Sequence, residues 1–454
     1  MVIHYGNNLS QKKVFCGGFF AAMMLSEEEK RKKKMKKGIL TIYTVLFCFV
    51  CCFCQQQKPK HKSPTGFEQP EIKPTEYWNF YKEPINLQDS EIVKKIHALD
   101  CYFEKKVDSN GFNGSVLIAY KGTKIFERYY GYKNYYTFEK LTPRSTFQIA
   151  STSKTFTGGA VLLLLQQNML SLEDTLQKFF PNFPYQGITV RMLLNHRSGL
   201  PNYLNFSETY WKDKSAFMSN QDVLDMMQIK RPKILASPDT RFFYNNTNFV
   251  LLALIVEKVS GMPFCDFVHQ NIFLPLGMTD TWYYDPLSVR NSATKGYKGG
   301  SWREDDIVYT DGVLGDKGIY STVQDLYKWD MALTAGKFIR PELLGLAYTP
   351  QSFEKHGSKN YGLGWRMQDQ PDGTRLIYHN GWWHSYNSVF NRKISDKTTI
   401  IILSNHFSNS VYRIQGIWDI LYGSGVVSGA EDGSDNEITK KLNEDTLKEL
   451  RKDE

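Results

Sequence analysis

Ser151-Thr152-Ser153-Lys154 is a run of residue types that can make an acyl-enzyme. It lies just ahead of an apolar stretch, Gly158 to Leu165, which predicts a buried helix. A serine and a lysine three residues apart share one helical face. At a helix N-terminus the serine hydroxyl sits among free backbone N–H groups, where negative charge is stabilised. The combination supplies a weak nucleophile, a lysine one turn away to take its proton, and N–H donors for an oxyanion. Spacing by itself is weak support, because Ser-x-x-Lys recurs elsewhere, as at Ser10–Lys13 and Ser352–Lys355.

Two further segments fit the same chemistry. Tyr244-Asn245-Asn246 stands directly before an apolar helical pattern, which sets it apart from the Tyr-x-Asn runs at Tyr5, Tyr132 and Tyr203. A phenol near a lysine ammonium has a lowered pKa and can relay protons. The carboxamide of Asn246 can hold a substrate amide. His379-Asn380-Gly381 ends a predicted strand late in the chain. His379 can donate to a substrate or a leaving group, and Gly381 lets a substrate backbone approach closely. The N–H of Trp382 can be a second oxyanion donor beside that of Ser151. Plainer roles stay open for each: a tyrosine at a packing interface, an asparagine helix cap, and a strand-end histidine packed by Trp382 and Trp383.

The elements that must position these residues follow from periodicity. Ser90 to Lys106 has helical spacing of Ile92, Ile96, Leu99 and Phe103. Gly114 to Tyr120, a Lys121-Gly122 turn and Thr123 to Tyr130 predict a β-hairpin. Residues 172 to 320 are mostly helical patterns and long loops, with a helix start at Ser171-Leu172-Glu173-Asp174. Asn246 to Val259 predicts an amphipathic helix ending at Gly261, and Thr322 caps a helix running to Ala335. Strands return at Tyr361 to Met367, Leu376 to His379, Ser388 to Asn391 and Thr398 to Leu403, before a closing helix from Ser408 to Leu421. Strands at both ends with helices between imply one sheet built from distant parts of the chain. The expected architecture is α+β: an antiparallel sheet flanked by helices, an all-helical lobe, and a cleft between them.

Composition sets the outer bounds. The chain has 454 residues, 41% of them hydrophobic, enough for one large domain or two smaller ones. Its net charge of +9 is unevenly placed. Nine Lys/Arg against three Glu fall in residues 1–37, which leaves a surplus of three over the rest and no electrostatic case for nucleic acid. Lys30 to Lys37 is basic and Ile39 to Phe53 is an uncharged apolar run, the layout of a secretory signal. That run of fifteen residues is short for a membrane span. Met35 is expected as the start, with residues 1–34 an over-extended reading frame. Cys48, Cys51, Cys52 and Cys54 lie in or at the end of the run, and a cysteine closing a signal points to lipid attachment. Cys101 and Cys265 are expected as two buried free thiols. The domain reading is a leader over 1–54, an extended Pro-rich linker over 55–88, a catalytic domain over 89–428 and a charged, solvated tail over 429–454.

Taken together, the motifs resemble the serine β-lactamase and penicillin-binding-protein superfamily, in particular its class C-like β-lactamase-related hydrolases. The matching segments run in order from Phe112 to Tyr422: Phe112 to Ile118, Phe147 to Lys154, Leu193 to Pro201, Tyr244 to Asn246, Pro275 to Met278, Tyr361 to Trp365, and His379 to Gly381. The resemblance implies Ser151 as the acylated nucleophile, Lys154 as its base partner, Tyr244 as a proton relay, and neither metal nor cofactor. It also implies a serine hydrolase cleaving amide or ester bonds of small D-residue-containing peptides or esters in the cell envelope. The partners expected are a small-molecule or peptide substrate and a membrane, reached through an N-terminal signal or lipid anchor.

Members acting on β-lactams often carry Lys-Thr-Gly where this chain has His379-Asn380-Gly381. A lysine stays charged and pairs with a substrate carboxylate, whereas a histidine is mostly neutral at pH 7. A peptidase or esterase therefore ranks above a class C-type β-lactamase, and a silent penicillin-binding sensor is a third reading. Trp382 and Trp383 are expected to line the substrate entrance, and Asp239, where relatives often have Gly, is read as a turn variation. The chain has no His-Glu-x-x-His, no Gly-x-Ser-x-Gly and no Gly-rich phosphate loop, which argues against a zinc hydrolase, an α/β-hydrolase and a nucleotide enzyme.

Overall fold

Strand β1 (Gly114–Tyr120) and strand β2 (Thr123–Tyr130) form the hairpin that the sequence predicts, residue for residue. Lys121 and Gly122 both have positive φ, the two-residue turn whose twist suits a tight hairpin. The computed structural model describes residues 85–427 apart from 286–291 and 355. The expected leader, all but the last four residues of the expected linker, and the charged tail lie outside those residues.

Five more strands come from late in the chain: β3 (Lys359–Tyr361), β4 (Arg366–Asp369), β5 (Arg375–Trp383), β6 (Tyr386–Lys393) and β7 (Thr398–Ser404). The sheet order is β2-β1-β7-β6-β5-β4-β3, with every neighbouring pair antiparallel. The first strand therefore lies between its hairpin partner and the last strand, with Leu117 opposite Ile401.

Alternation along the strands feeds two cores. Val116, Ile118, Val389, Ile400 and Ile402 pack with helix α1 (Ser90–Asn110) and helix α6 (Gln415–Tyr422), whose Leu99, Phe103 and Trp418 are buried. Leu117, Phe390, Ile401 and Leu403 face the larger helical core of α2 (Lys154–Gln166), α3 (Asn220–Lys230), α4 (Asn246–Ser260) and α5 (Val323–Ala335). A sheet covered on both faces by helices, with a helical lobe beside it, is the α+β arrangement expected.

Several local expectations are corrected. Helix α4 is not amphipathic: Thr247 to Val256 are all buried, because α2, α3 and the short helices Val190–Leu194 and Phe264–Val268 surround it. The single strand expected over 361–367 is split into β3 and β4 by a turn, where Gly364 has φ +82. Strand β5 does not end at His379 but runs on to Trp383. The closing helix is interrupted, with a 3₁₀ turn at Asn409–Tyr412 ahead of α6. Ser171 to Asp174 is a turn held by Ser171 N–H on Asp174 Oδ2 at 2.8 Å, and the helix is only Leu176–Phe179. The two thiols are free, but Cys101 is exposed and Cys265 partly buried. Asp239 sits at φ +60, which explains why glycine suits this turn; its carboxylate also accepts from Arg197 Nε at 2.6 Å.

A buried ion pair ties the helical lobe to the sheet. Asp330 on α5 accepts from Arg392 on β6, and from Thr399 Oγ1 on β7 at 2.6 Å. Both charged side chains are almost fully buried. Removing one partner leaves the other charge uncompensated, so Asp330→Asn is expected to lower unfolding free energy by about 3–5 kcal/mol. Urea unfolding curves measure it; a change within about 0.5 kcal/mol would rule out this clamp as a stability determinant.

Candidate active site

Ser151 lies on a 3₁₀ turn, Ala150–Ser153, that leads straight into α2 with Lys154 as its first residue. In a 3₁₀ turn residues three apart eclipse, so the serine and lysine side chains face the same way. Ala150 has φ +48 and is buried, a left-handed conformation that costs a non-glycine residue about 1–2 kcal/mol. Side chains from the sheet hold the turn in that shape. Ser388 Oγ on β6 donates to Ile149 O at 2.7 Å, and Thr152 Oγ1 donates to His379 O on β5 at 3.0 Å. The two hydroxyls are 2.8 Å apart. The Ser151 turn is thus riveted to β5 and β6.

Lys154 is fully buried, and its Nζ lies 3.1 Å from Ser151 Oγ, 2.8 Å from Asn246 Oδ1 and 2.8 Å from Asp316 O. Three acceptors match the three N–H bonds of an ammonium. Asn246 is the first residue of α4, whose cap is Asn245: its side chain accepts from Thr247 N–H. The Asn246 oxygen is turned to Lys154. Asp316 was not singled out in the sequence. Gly315 and Gly318, both at positive φ, shape the loop that aims its carbonyl at Lys154. Its carboxylate accepts from Tyr203 OH at 3.0 Å, and Tyr203 OH in turn accepts from buried Lys317.

The Tyr244 ring centroid is 5.0 Å from Lys154 Nζ. His196 positions this tyrosine: its Nδ1 accepts from Asn245 N–H at 3.1 Å, its carbonyl from Phe243 N–H, and its ring lies 4.4 Å from that of Tyr244. The signal for His196 was present in the Leu193 to Pro201 segment, though not as a site residue. Burial, with Lys154 and Arg366 adding to it, holds the His196 imidazole well below the ordinary histidine pKa.

His379 differs from the expectation that it donates to a substrate. Its ring is fully buried, Nδ1 lies 2.9 Å from Asn380 O and Nε2 3.1 Å from Tyr361 OH. A carbonyl only accepts, so Nδ1 carries the proton and Nε2 takes the tyrosine hydroxyl. Burial foremost, then the Arg366 and Lys154 charges, pushes its pKa well below the usual value, so the ring is neutral. Gly381 also differs in what approaches it. A Cβ there would lie 2.2 Å from Ile149 O, 2.5 Å from Ser388 Oγ and 2.9 Å from Ser151 N. The backbone of Ile149 and Ser151 is therefore what requires glycine here.

Trp382 and Trp383 alternate across the strand. Trp382 is half exposed and its ring meets Phe407 at 5.6 Å. Trp383 turns the other way: Nε1 donates to Asp311 Oδ1 at 2.7 Å, and Lys317 Nζ lies 5.0 Å from its ring. Trp382 is thus the more exposed of the two, and Trp383 is partly buried.

Comparison with known proteins follows the same outline. The family described as Beta-lactamase matches residues 99–422. Penicillin-binding protein 4* of Bacillus subtilis (strain 168) is 34% identical over 343 residues, covering 72% of this chain and 76% of that protein. Teichoic acid D-alanine hydrolase of Staphylococcus aureus is 27% identical over 348 residues, covering 75% of this chain and 80% of that protein. The crystal structure of a penicillin-binding protein from Bacillus halodurans shares the fold with a TM-score of 0.61 at 24% identity, covering 70% of this chain and 97% of that one.

Proposed function

This chain belongs to the beta-lactamase family of serine hydrolases, and from that premise we propose that it cleaves amide or ester bonds beside D-residues in the cell envelope through an acyl-enzyme on Ser151. The observation that carries the reading is the convergence of Ser151 Oγ and Asn246 Oδ1 on the buried Lys154 ammonium, with Tyr244 beside it. The Ser151 hydroxyl proton leaves through the Lys154–Tyr244 pair as Oγ bonds the substrate carbonyl carbon. The N–H groups of Ser151 and Trp382 hold the oxyanion. Tyr244 returns the proton to the departing amine or alcohol, and water then attacks the ester on Ser151. Asn246, Gly381 and Trp382 border the acyl group, while His379 supports Tyr361 and the strand from beneath.

The neutral, buried His379 supports a D-alanyl esterase or peptidase over a β-lactamase, since no cation stands at position 379 to pair with a substrate carboxylate. The teichoic acid D-alanine hydrolase relative points the same way. Residues 30–53 support export with a signal or lipid anchor, which would bring the site to envelope substrates.

The test is intact-protein mass spectrometry after separate exposure to a fluorophosphonate, a penicillin, and D- and L-alanyl p-nitrophenyl esters. Expected are a Ser151-dependent adduct and faster release from the D-ester. Rapid turnover of the penicillin would favour the β-lactamase reading. A stable adduct without release would favour a sensor, and no adduct at all would sink the acyl-enzyme.

A further inference from the structure

Tyr244 is surrounded by charged and titratable groups from separate elements. Lys154 comes from α2, His196 from the turn after the Val190–Leu194 helix, Tyr361 from β3, Arg366 from β4 and His379 from β5. The two imidazoles are neutral through burial. Two fixed cations remain: Lys154 Nζ lies 5.0 Å, and the Arg366 guanidinium carbon 4.8 Å, from the centroid of the Tyr244 ring. Arg366 is itself largely buried, so its charge is weakly screened. A guanidinium stays protonated at any working pH.

We propose that Arg366 is a positioning residue for the proton transfer: its charge, added to that of Lys154, keeps the Tyr244 oxygen anionic at neutral pH, ready to accept the proton of Ser151. The inference rests on Ser151 being the nucleophile. It solves a difficulty in that scheme. With Lys154 held as an ammonium against three acceptors, it has no lone pair for the proton, and the base is assigned to the neighbouring phenolate. Where relatives often carry a lysine, position 379 here holds a neutral ring, and the second positive charge comes instead from the adjacent strand.

The proton inventory closes. The phenolate takes the hydroxyl proton as Ser151 Oγ bonds the carbonyl carbon. The tyrosine then gives it to the leaving group as the tetrahedral adduct collapses, which restores the phenolate. With the cation-to-ring separation of about 5 Å as the scale and an effective dielectric of about 20, Coulomb's law puts the influence of one such cation on the phenol on the order of one to two pH units.

The experiment uses the full chain and follows the pH dependence of Ser151 acylation by a p-nitrophenyl ester in wild type, Arg366→Met and Arg366→Lys. Expected is an acid limb that moves up by roughly one to two pH units in Arg366→Met and stays near wild type in Arg366→Lys. A merely structural arginine would change the rate without moving the limb, and an unmoved limb in an acylating Arg366→Met chain overturns the proposal. Should Arg366→Met fail to fold, the tyrosinate ultraviolet band decides on unaltered protein: wild type minus Tyr244→Phe must show one phenolate at pH 7, and its absence overturns the proposal. If wild type is never acylated at Ser151, the functional reading itself has failed, which is a separate and visible result.

Discussion

Ser151→Ala is expected to keep the fold and lose acyl-enzyme formation, and Lys154→Met to lose nearly as much. Ser151 is partly exposed and its hydroxyl has one role in the site, so removing it leaves a small polar gap and little strain. Residues that act as one unit are not additive: removing one essential member of such a unit costs on the order of 10⁶ in rate in well-studied serine hydrolases. The double variant should therefore be no slower than either single one. Folding separates the two. Lys154→Met leaves Asn246 Oδ1 and Asp316 O without a donor in a buried place, at about 1–3 kcal/mol each, partly offset by relief of a buried charge. Acylation rates by mass spectrometry, with unfolding midpoints alongside, measure both parts. Undiminished acylation in either variant would end the scheme.

What was legible in the sequence was whatever depended on local pattern. The β1–β2 hairpin, the α5 cap at Thr322 and the α4 stop at Gly261 matched because alternation, capping oxygens and glycine at positive φ act within a few residues. That one sheet joins distant parts of the chain also followed from strand patterns at both ends, whereas the particular pairing of β1 with β7 had no local signal. Period failed where tertiary packing took over. Helix α4 reads as amphipathic from its Asn246, Thr247, Asn248 and Glu257-Lys258 polar positions, yet Thr247 and Asn248 are buried because they serve the site wall. Thr247 Oγ1 donates to Pro201 O, and Asn248 contacts His196. The break at Gly362 to Trp365 was hidden because the apolar pattern continues through it. Only Gly364, which lies against Gly158 of α2, marks the place where the chain must leave the sheet.

The site was legible as residue types but not as roles. Ser151, Lys154, Tyr244 and Asn246 come together because their spacing places each at a helix entry, and those entries converge. His379, expected as a donor to a substrate, is buried against Tyr361 and Asn380, and Gly381 lies against the backbone of Ile149 and Ser151. Asp316 and Arg366 had no motif to announce them. One contributes a carbonyl, which every residue owns, and the other a charge that matters only through the ring it faces.

Gly381→Ala is expected to lower acylation by about 10²-fold or more while most of the fold survives. The new methyl carbon would begin 2.2 Å from Ile149 O, and backbone there cannot rotate away as a side-chain tip could. Two responses are open to the structure, and both harm the site. Either β5 moves away from the 3₁₀ turn, carrying Trp382 and its N–H with it, or the turn shifts and moves Ser151 off the Lys154 Nζ that now lies 3.1 Å away. The turn has little slack, since Ala150 already sits at φ +48 and Ser388 and Thr152 hold it on two strands. The overpacking cost is about 1–3 kcal/mol, small enough for a domain with two separate cores to remain folded. Substrate binding should suffer less than acylation, because misplaced reacting atoms matter most in the transition state. The signature is thus a fall in the acylation rate constant with a modest change in apparent affinity, read from the concentration dependence of adduct formation. A loss confined to affinity would mean that Gly381 gives room to the substrate after all, as its place in the sequence first suggests.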